Sequence, residues 1–187
     1  MRSVSFSQMK DMTEEDAAIL KAEDEEFQKG FPDRLLNAVK ALDGSTLGYQ
    51  VTRYEHSLQS ATRAYHNGES EEYVVAALLH DIGDDLSPLN HGEMVAAILK
   101  PYVSEKICWI IKYHPLFQTY YYAHFAGGDP NARDRYKASP YYQATVDFCE
   151  HYDQNCFDPN YDSLPLEFFE PMVRRIFAEP RYFTDTE

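Results

Sequence analysis

Residues 76–83 read Ala-Ala-Leu-Leu-His-Asp-Ile-Gly: an apolar helical run ending in an adjacent His-Asp pair and a glycine. Neighbours on a helix point about 100° apart, because a turn takes about 3.6 residues. The imidazole of such a pair can therefore address one metal ion while the carboxylate leans toward a second. A carboxylate has two oxygens and bridges two ions, and a neutral imidazole nitrogen suits iron, zinc or manganese. On its own the dipeptide reads equally well as a buried, hydrogen-bonded structural pair.

The rest of the chain is punctuated for helices, and strand signals are weak throughout. Thr13 is placed to cap a helix to about Gln28, ended by Gly30, and Pro32 suits the first position of a second, Asp33 to Leu42. A third runs from Val51 to His66 and stops at Asn67-Gly68, and Ser70 caps a fourth from Glu71 to about His80. Further helices are expected over His91 to Leu99, from the Ser104 cap to Tyr113 before Pro115, from Ser139-Pro140 to about Gln154, and over Leu166 to Ala178, with Pro171 as a kink. The aromatic stretch from Phe117 to Phe125 fits no template. These signals predict an all-α fold in one domain: a helical extension over 1–43, a core over 44–160 and a C-terminal helix over 161–187.

Acidic residues outnumber basic ones by 31 to 17, a formal net charge of −14, and such a surface repels nucleic acid and anionic membranes. An anionic ligand would need a local positive feature. Cys108, Cys149 and Cys156 form no paired spacing, which fits a reducing compartment. With a polar, acidic start and no long apolar run, the expectation is a cytoplasmic protein without a membrane span. The chain holds 15 Tyr and 11 Phe, an excess that suits a cavity with polar tips as well as ordinary helix packing.

Four more side chains join the His-Asp pair. His56 lies in the third helix, His91 opens the fifth, His114 stands just before Pro115, and Asp153 falls late in the following helix. Gathered at one point, His56, His80, Asp81, His91, His114 and Asp153 would give each of two ions two histidines and a shared carboxylate, with positions left open. Helical metal proteins are built this way, from ligands on separate helices around one interior site. Taken singly, His56 also reads as a satisfied core histidine. Of the remaining histidines, His66 reads as surface, His151 as structural, and His124 as a pocket-lining residue.

The order His…His-Asp…His…His…Asp resembles the HD-domain superfamily in its two-metal form. Within it, the chain is similar to the mixed-valent diiron oxygenases, represented by myo-inositol oxygenase and the phosphonate-cleaving oxygenases. The likeness covers about residues 46–160 and includes Lys-Tyr-His-Pro-Leu-Phe at 112–117 and the stretch from Phe148 to Asp153. It implies an HD helical bundle around two iron ions, an Fe(II)/Fe(III) pair. It also implies a small organophosphonate as substrate and O₂ as co-substrate, with cleavage of a carbon–phosphorus bond. Relatives that act on a primary aminophosphonate carry a Tyr and a Glu shortly before the first histidine, where this chain has Thr46 and Tyr49. Without that Glu, the resemblance points to a trimethylammonium substrate that yields glycine betaine and phosphate, with Tyr49 facing the cation. Such cation–π contacts are worth about 0.5–2 kcal/mol.

Many HD proteins carry a Lys or His where this chain has Asp84, whose charge would repel a phosphonate unless it is paired or turned away. Asp84, Gln118, Arg133, Arg135 and Lys137 are therefore the candidate surroundings of the phosphonate, Arg being suited to a forked contact. An HD phosphohydrolase uses the same ligands, and a non-catalytic HD module would be expected to lose some of them. The first 40 residues are expected either to cover the core or to form a subunit contact, as in a homodimer.

Overall fold

The computed structural model describes residues 3–182, so positions 1–2 and 183–187 of the expected domain lie outside the described residues. Eight α-helices are present among them, and no strand. They are α1 (Glu14–Lys29), α2 (Phe31–Ala41), α3 (Arg53–His66), α4 (Glu71–Leu79), α5 (His91–Leu99), α6 (Glu105–Gln118), α7 (Tyr142–Tyr152) and α8 (Leu166–Ile176). None is long and apolar enough to cross a membrane.

The caps explain most starts. Thr13 and Thr52 each accept from the backbone N–H three residues on, and the acids there, Asp16 and Glu55, return the bond to the cap's own N–H. Such reciprocal boxes satisfy two otherwise orphaned donors. The Thr52 box moves the start of α3 from the expected Val51 to Arg53. Ser70 caps α4 as expected, accepting from Tyr73 N–H. Two expected caps fail. The Ser104 side chain makes no capping bond, and its own backbone N–H donates to Glu72. The Ser139 hydroxyl accepts from Tyr141 N–H in a turn, so α7 begins only at Tyr142 and ends at Tyr152.

Helix α4 is the axis of the fold. Every residue from Tyr73 to Leu79 is buried. A helix apolar on all sides must be covered on all sides, and α3, α6 and α8 pack around it. Full burial of a side chain such as Leu78 contributes about 1.5–3 kcal/mol. This places the His80-Asp81 pair, at the end of α4, in the middle of the protein.

Helices α5 and α6 approach nearly backbone to backbone, and Gly92 is the reason. A Cβ on Gly92 would lie 2.9 Å from the carbonyl oxygens of Ile111 and Lys112 and from Cδ of Pro115. The residues on either side of this contact include His91 and His114. Pro115 does not end α6, which continues through it to Gln118. The aromatic stretch beyond forms short 3₁₀ turns at Thr119–Tyr121 and Ala123–Ala126. His124 packs there at a tilt against Phe125, with ring centroids 4.0 Å apart, and does not line the cavity described below.

The N-terminal helix is peripheral. In α1 only Asp16 is buried, its carboxylate accepting from the N–H and hydroxyl of both Ser5 and Thr13. Those bonds, the Ser5 N–H first, pull its pKa down to about 2.

Candidate metal centre

The six expected ligand residues converge, although they come from five separate points of the chain. His56 is the fourth residue of α3, so it stands in the first turn rather than mid-helix. His80 and Asp81 follow α4 directly, His91 opens α5, and Asp153 follows α7. His114 alone is carried inside a helix that continues past it. All but His91 are buried.

Three of the four histidines are hydrogen-bonded on the outer nitrogen, and the fourth has a carboxylate beside it. Nδ1 of His56 is 3.0 Å from the Cys156 carbonyl, Nδ1 of His80 is 2.7 Å from the Ala77 carbonyl, and Nδ1 of His114 is 2.6 Å from the Ile111 carbonyl. Nδ1 of His91 is 2.9 Å from Asp84 Oδ1. A ring whose Nδ1–H donates outward presents a bare Nε2 inward. Two of these carbonyls are available for local reasons. Ala77 lies in the last turn of α4, where carbonyls lack helical donors. Ile111 is four residues before Pro115, which has no N–H to offer it.

The inner nitrogens form two pairs. Nε2 of His56 and His80 lie 3.0 Å apart, and Nε2 of His91 and His114 lie 3.3 Å apart. Asp81 stands between the pairs. Its Oδ2 is 3.5 Å from His56 Nε2 and 3.4 Å from His80 Nε2, while its Oδ1 is 3.4 Å from both His91 and His114 Nε2. Asp153 Oδ1 is 3.5 Å from His56 Nε2 and accepts from Gln118 Nε2 at 3.0 Å. Asp153 Oδ2 is buried and has no hydrogen-bond partner among the described residues.

Acceptors facing acceptors at these distances repel unless positive charge sits among them. His56 records this: burial opposes its protonation, yet Asp153 and Asp81 together raise its pKa. A proton and a metal ion compete for that place. Burial drives the His80 pKa down to about 4, so this ring is neutral at physiological pH. Asp81 is held well below the usual carboxylate range, because His80, His114 and His56 outweigh the cost of its burial. The donor set, four imidazoles and two carboxylates, fits a pair of first-row ions. His56, His80 and Asp81 form one potential ligand group, and Asp81, His91 and His114 form another.

A cavity of about 280 Å³ opens on this cluster, a small-molecule size. Its wall includes Asp81, His91, His114 and Asp153, with Tyr49, Gln118, Tyr121, Tyr122 and Phe157. Of the expected substrate residues, Tyr49 and Gln118 are there. Four are not. Arg133 stacks over Tyr120 at 3.8 Å, Lys137 pairs with Asp134 at 2.7 Å, and Arg135 is exposed beside Tyr136. Asp84 is turned away from the cavity and paired with His91 and Arg53, which disposes of its repulsion.

The structure instead brings in Arg53. Its Nε lies 3.0 Å from Asp84 Oδ2, its Nη1 lies 3.5 Å from Asp81 Oδ2, and its guanidinium sits 5.0 Å from the Tyr49 ring centroid. The ring expected to face a trimethylammonium group therefore already faces a cation. One sequence signal pointed to Arg53. It precedes His56 by three residues, the spacing that puts two side chains on one helix face. Phe157 gave no such signal; it stacks on His56 at 4.5 Å and on Tyr49 at 4.9 Å from a loop 101 residues after His56.

Comparison with known proteins agrees with this architecture. Residues 53–143 match the HD domain family, a span that holds five of the six converging residues and ends before Asp153. The protein is an all-α HD-domain fold. It is similar to the [1-hydroxy-2-(trimethylamino)ethyl]phosphonate dioxygenase (glycine-betaine-forming) of Leisingera caerulea, with 38% identity over 89 residues. That match covers 42% of this chain and 45% of the relative, less than half of either.

Proposed function

We propose that this chain is a diiron oxygenase that uses O₂ to break the carbon–phosphorus bond of a 1-hydroxyphosphonate. Its substrate in this reading is 1-hydroxy-2-(trimethylamino)ethylphosphonate, and its products are glycine betaine and phosphate. The hydroxyl-bearing carbon becomes the carboxylate, the phosphorus leaves as phosphate, and both atoms of O₂ end in the products. The observation that carries the two-metal part of this reading is the division of the site. One carboxylate, Asp81, spans two histidine pairs, and only the His91–His114 pair meets the cavity.

His56, His80 and Asp153 would hold one iron, His91 and His114 the other, and Asp81 both. When bound, the irons supply a Lewis-acidic template for the substrate oxygens and the redox capacity that O₂ chemistry needs. The chain's other residues keep the site in order. Asp84 and three backbone carbonyls orient the imidazoles. Gln118 holds Asp153 through one oxygen and leaves the other bare. Phe157 stacks against His56, and Tyr49 stacks in turn on Phe157. The relative's activity supports the substrate, and the absence of the Glu that a primary amine would require supports the quaternary ammonium.

The test is an anaerobic-to-aerobic assay of the iron-loaded protein with 1-hydroxy-2-(trimethylamino)ethylphosphonate, following O₂ and phosphate together. One O₂ consumed per phosphate released is the expected result. Phosphate release from phosphoesters without O₂ uptake would instead make the protein an HD phosphohydrolase working through the same ligands.

A further inference from the structure

We infer that Arg53 is the residue that grips the phosphonate of the substrate, opposite the metal centre. This rests on the phosphonate reading above and adds what that reading lacked, a positive group on the cavity wall. The chain carries a net charge of −14, and Arg53 is the one Lys or Arg among the residues that line the cavity. An anion entering there meets no other Lys or Arg on the cavity wall among the described residues.

The guanidinium is held so that it keeps donors to spare. Its Nε lies 3.0 Å from Asp84 Oδ2, an ion pair without hydrogen-bond alignment. Its Nη1 stands 3.5 Å from Asp81 Oδ2, an ion-pair distance too long for a good hydrogen bond. One face packs on the aromatic wall, 5.0 Å from Tyr49 and 6.0 Å from Phe157, and the side chain is still 23% exposed. Two metal ions at the histidine pairs would take up the charge of Asp81, which then needs Arg53 less. The Nη donors are left for a ligand, and phosphonate oxygens match the forked geometry of Arg better than the point charge of Lys.

The same placement gives the substrate a direction. A cationic end group is repelled from Tyr49 while Arg53 covers that ring, so the anionic end lies nearest Arg53 and the ammonium end lies away from it. A role limited to neutralising Asp81 and Asp84 is the competing account, and iron content separates the two.

The experiment uses the full chain loaded with iron, with methylphosphonate as probe, and measures binding by calorimetry for wild type, R53Q and R53K. Iron per chain is determined for each. Arg53 as the phosphonate grip predicts wild-type iron in both variants. Affinity should fall by about 10- to 100-fold in R53Q, the loss of a charge-assisted hydrogen bond, with a smaller fall in R53K. Unchanged binding by R53Q overturns the inference, and so does loss of iron from R53Q, which would make Arg53 a support for Asp81. Iron-loaded wild type that ignores methylphosphonate removes the phosphonate reading itself, and the inference with it.

Discussion

The two histidine pairs differ in how they are enclosed. His56 and His80 are fully buried, and both outer nitrogens are held by backbone carbonyls. His91 has a side chain 16% exposed, and its outer nitrogen is held by a carboxylate that also pairs with Arg53. His114 shares that open side, although its own anchor is the Ile111 carbonyl. A backbone carbonyl moves only if the fold moves, whereas a side-chain carboxylate can change its partner. The sealed half is thus a fixed anchor, and the open half is the one that faces the cavity. Asp81 joins them, so whatever happens at the open half reaches the sealed one through a single side chain.

Removing that link has the largest expected effect. Asp81→Ala takes a ligand from both halves at once, so iron per chain and activity should disappear together, measured by elemental analysis and the O₂ assay. Iron retained at wild-type level would refute the assignment of Asp81 as the shared ligand. Asp84→Ala acts first on the open half, behind His91. Loss of an outer carboxylate behind a ligating histidine costs about 10–100-fold in metal affinity. An iron titration should then show one site still tight and one weakened, and equal weakening at both would erase the distinction between the halves.

Pro115→Ala is the mildest change. It returns an N–H to the Ile111 carbonyl, in competition with His114 Nδ1. The helix should gain about 0.5–2 kcal/mol of stability, like other compatible stabilising substitutions, while iron affinity at the open half falls by less than the Asp84 variant loses. A lower thermal midpoint, measured by calorimetry, would mean that the proline serves the fold rather than the histidine.

Much of this was legible in the chain. Thr13 and Ser70 act within three residues of themselves, so their caps and helix starts can be read locally, whereas the equally local Thr52 box escapes a reading that starts α3 at Val51. Ser104 misled because its backbone N–H found Glu72, 32 residues away. Pro115 misled because the carbonyl it orphans is satisfied by the His114 ring, which lets the helix continue.

The site divides along the same line. That His56, His80, Asp81, His91, His114 and Asp153 would gather was legible in the sequence, because residue types suited to ligation recur there in a recognisable order. Which charges face the cavity did not. Arg133, Arg135 and Lys137 were as plausible as Arg53 by type, and their neighbours Tyr120, Tyr136 and Asp134 drew them elsewhere. Only the tertiary structure decided that Arg53 would stand on the wall, because its position depends on Asp84 behind it and on Tyr49 and Phe157 beneath it, groups brought together by packing across more than a hundred residues of chain.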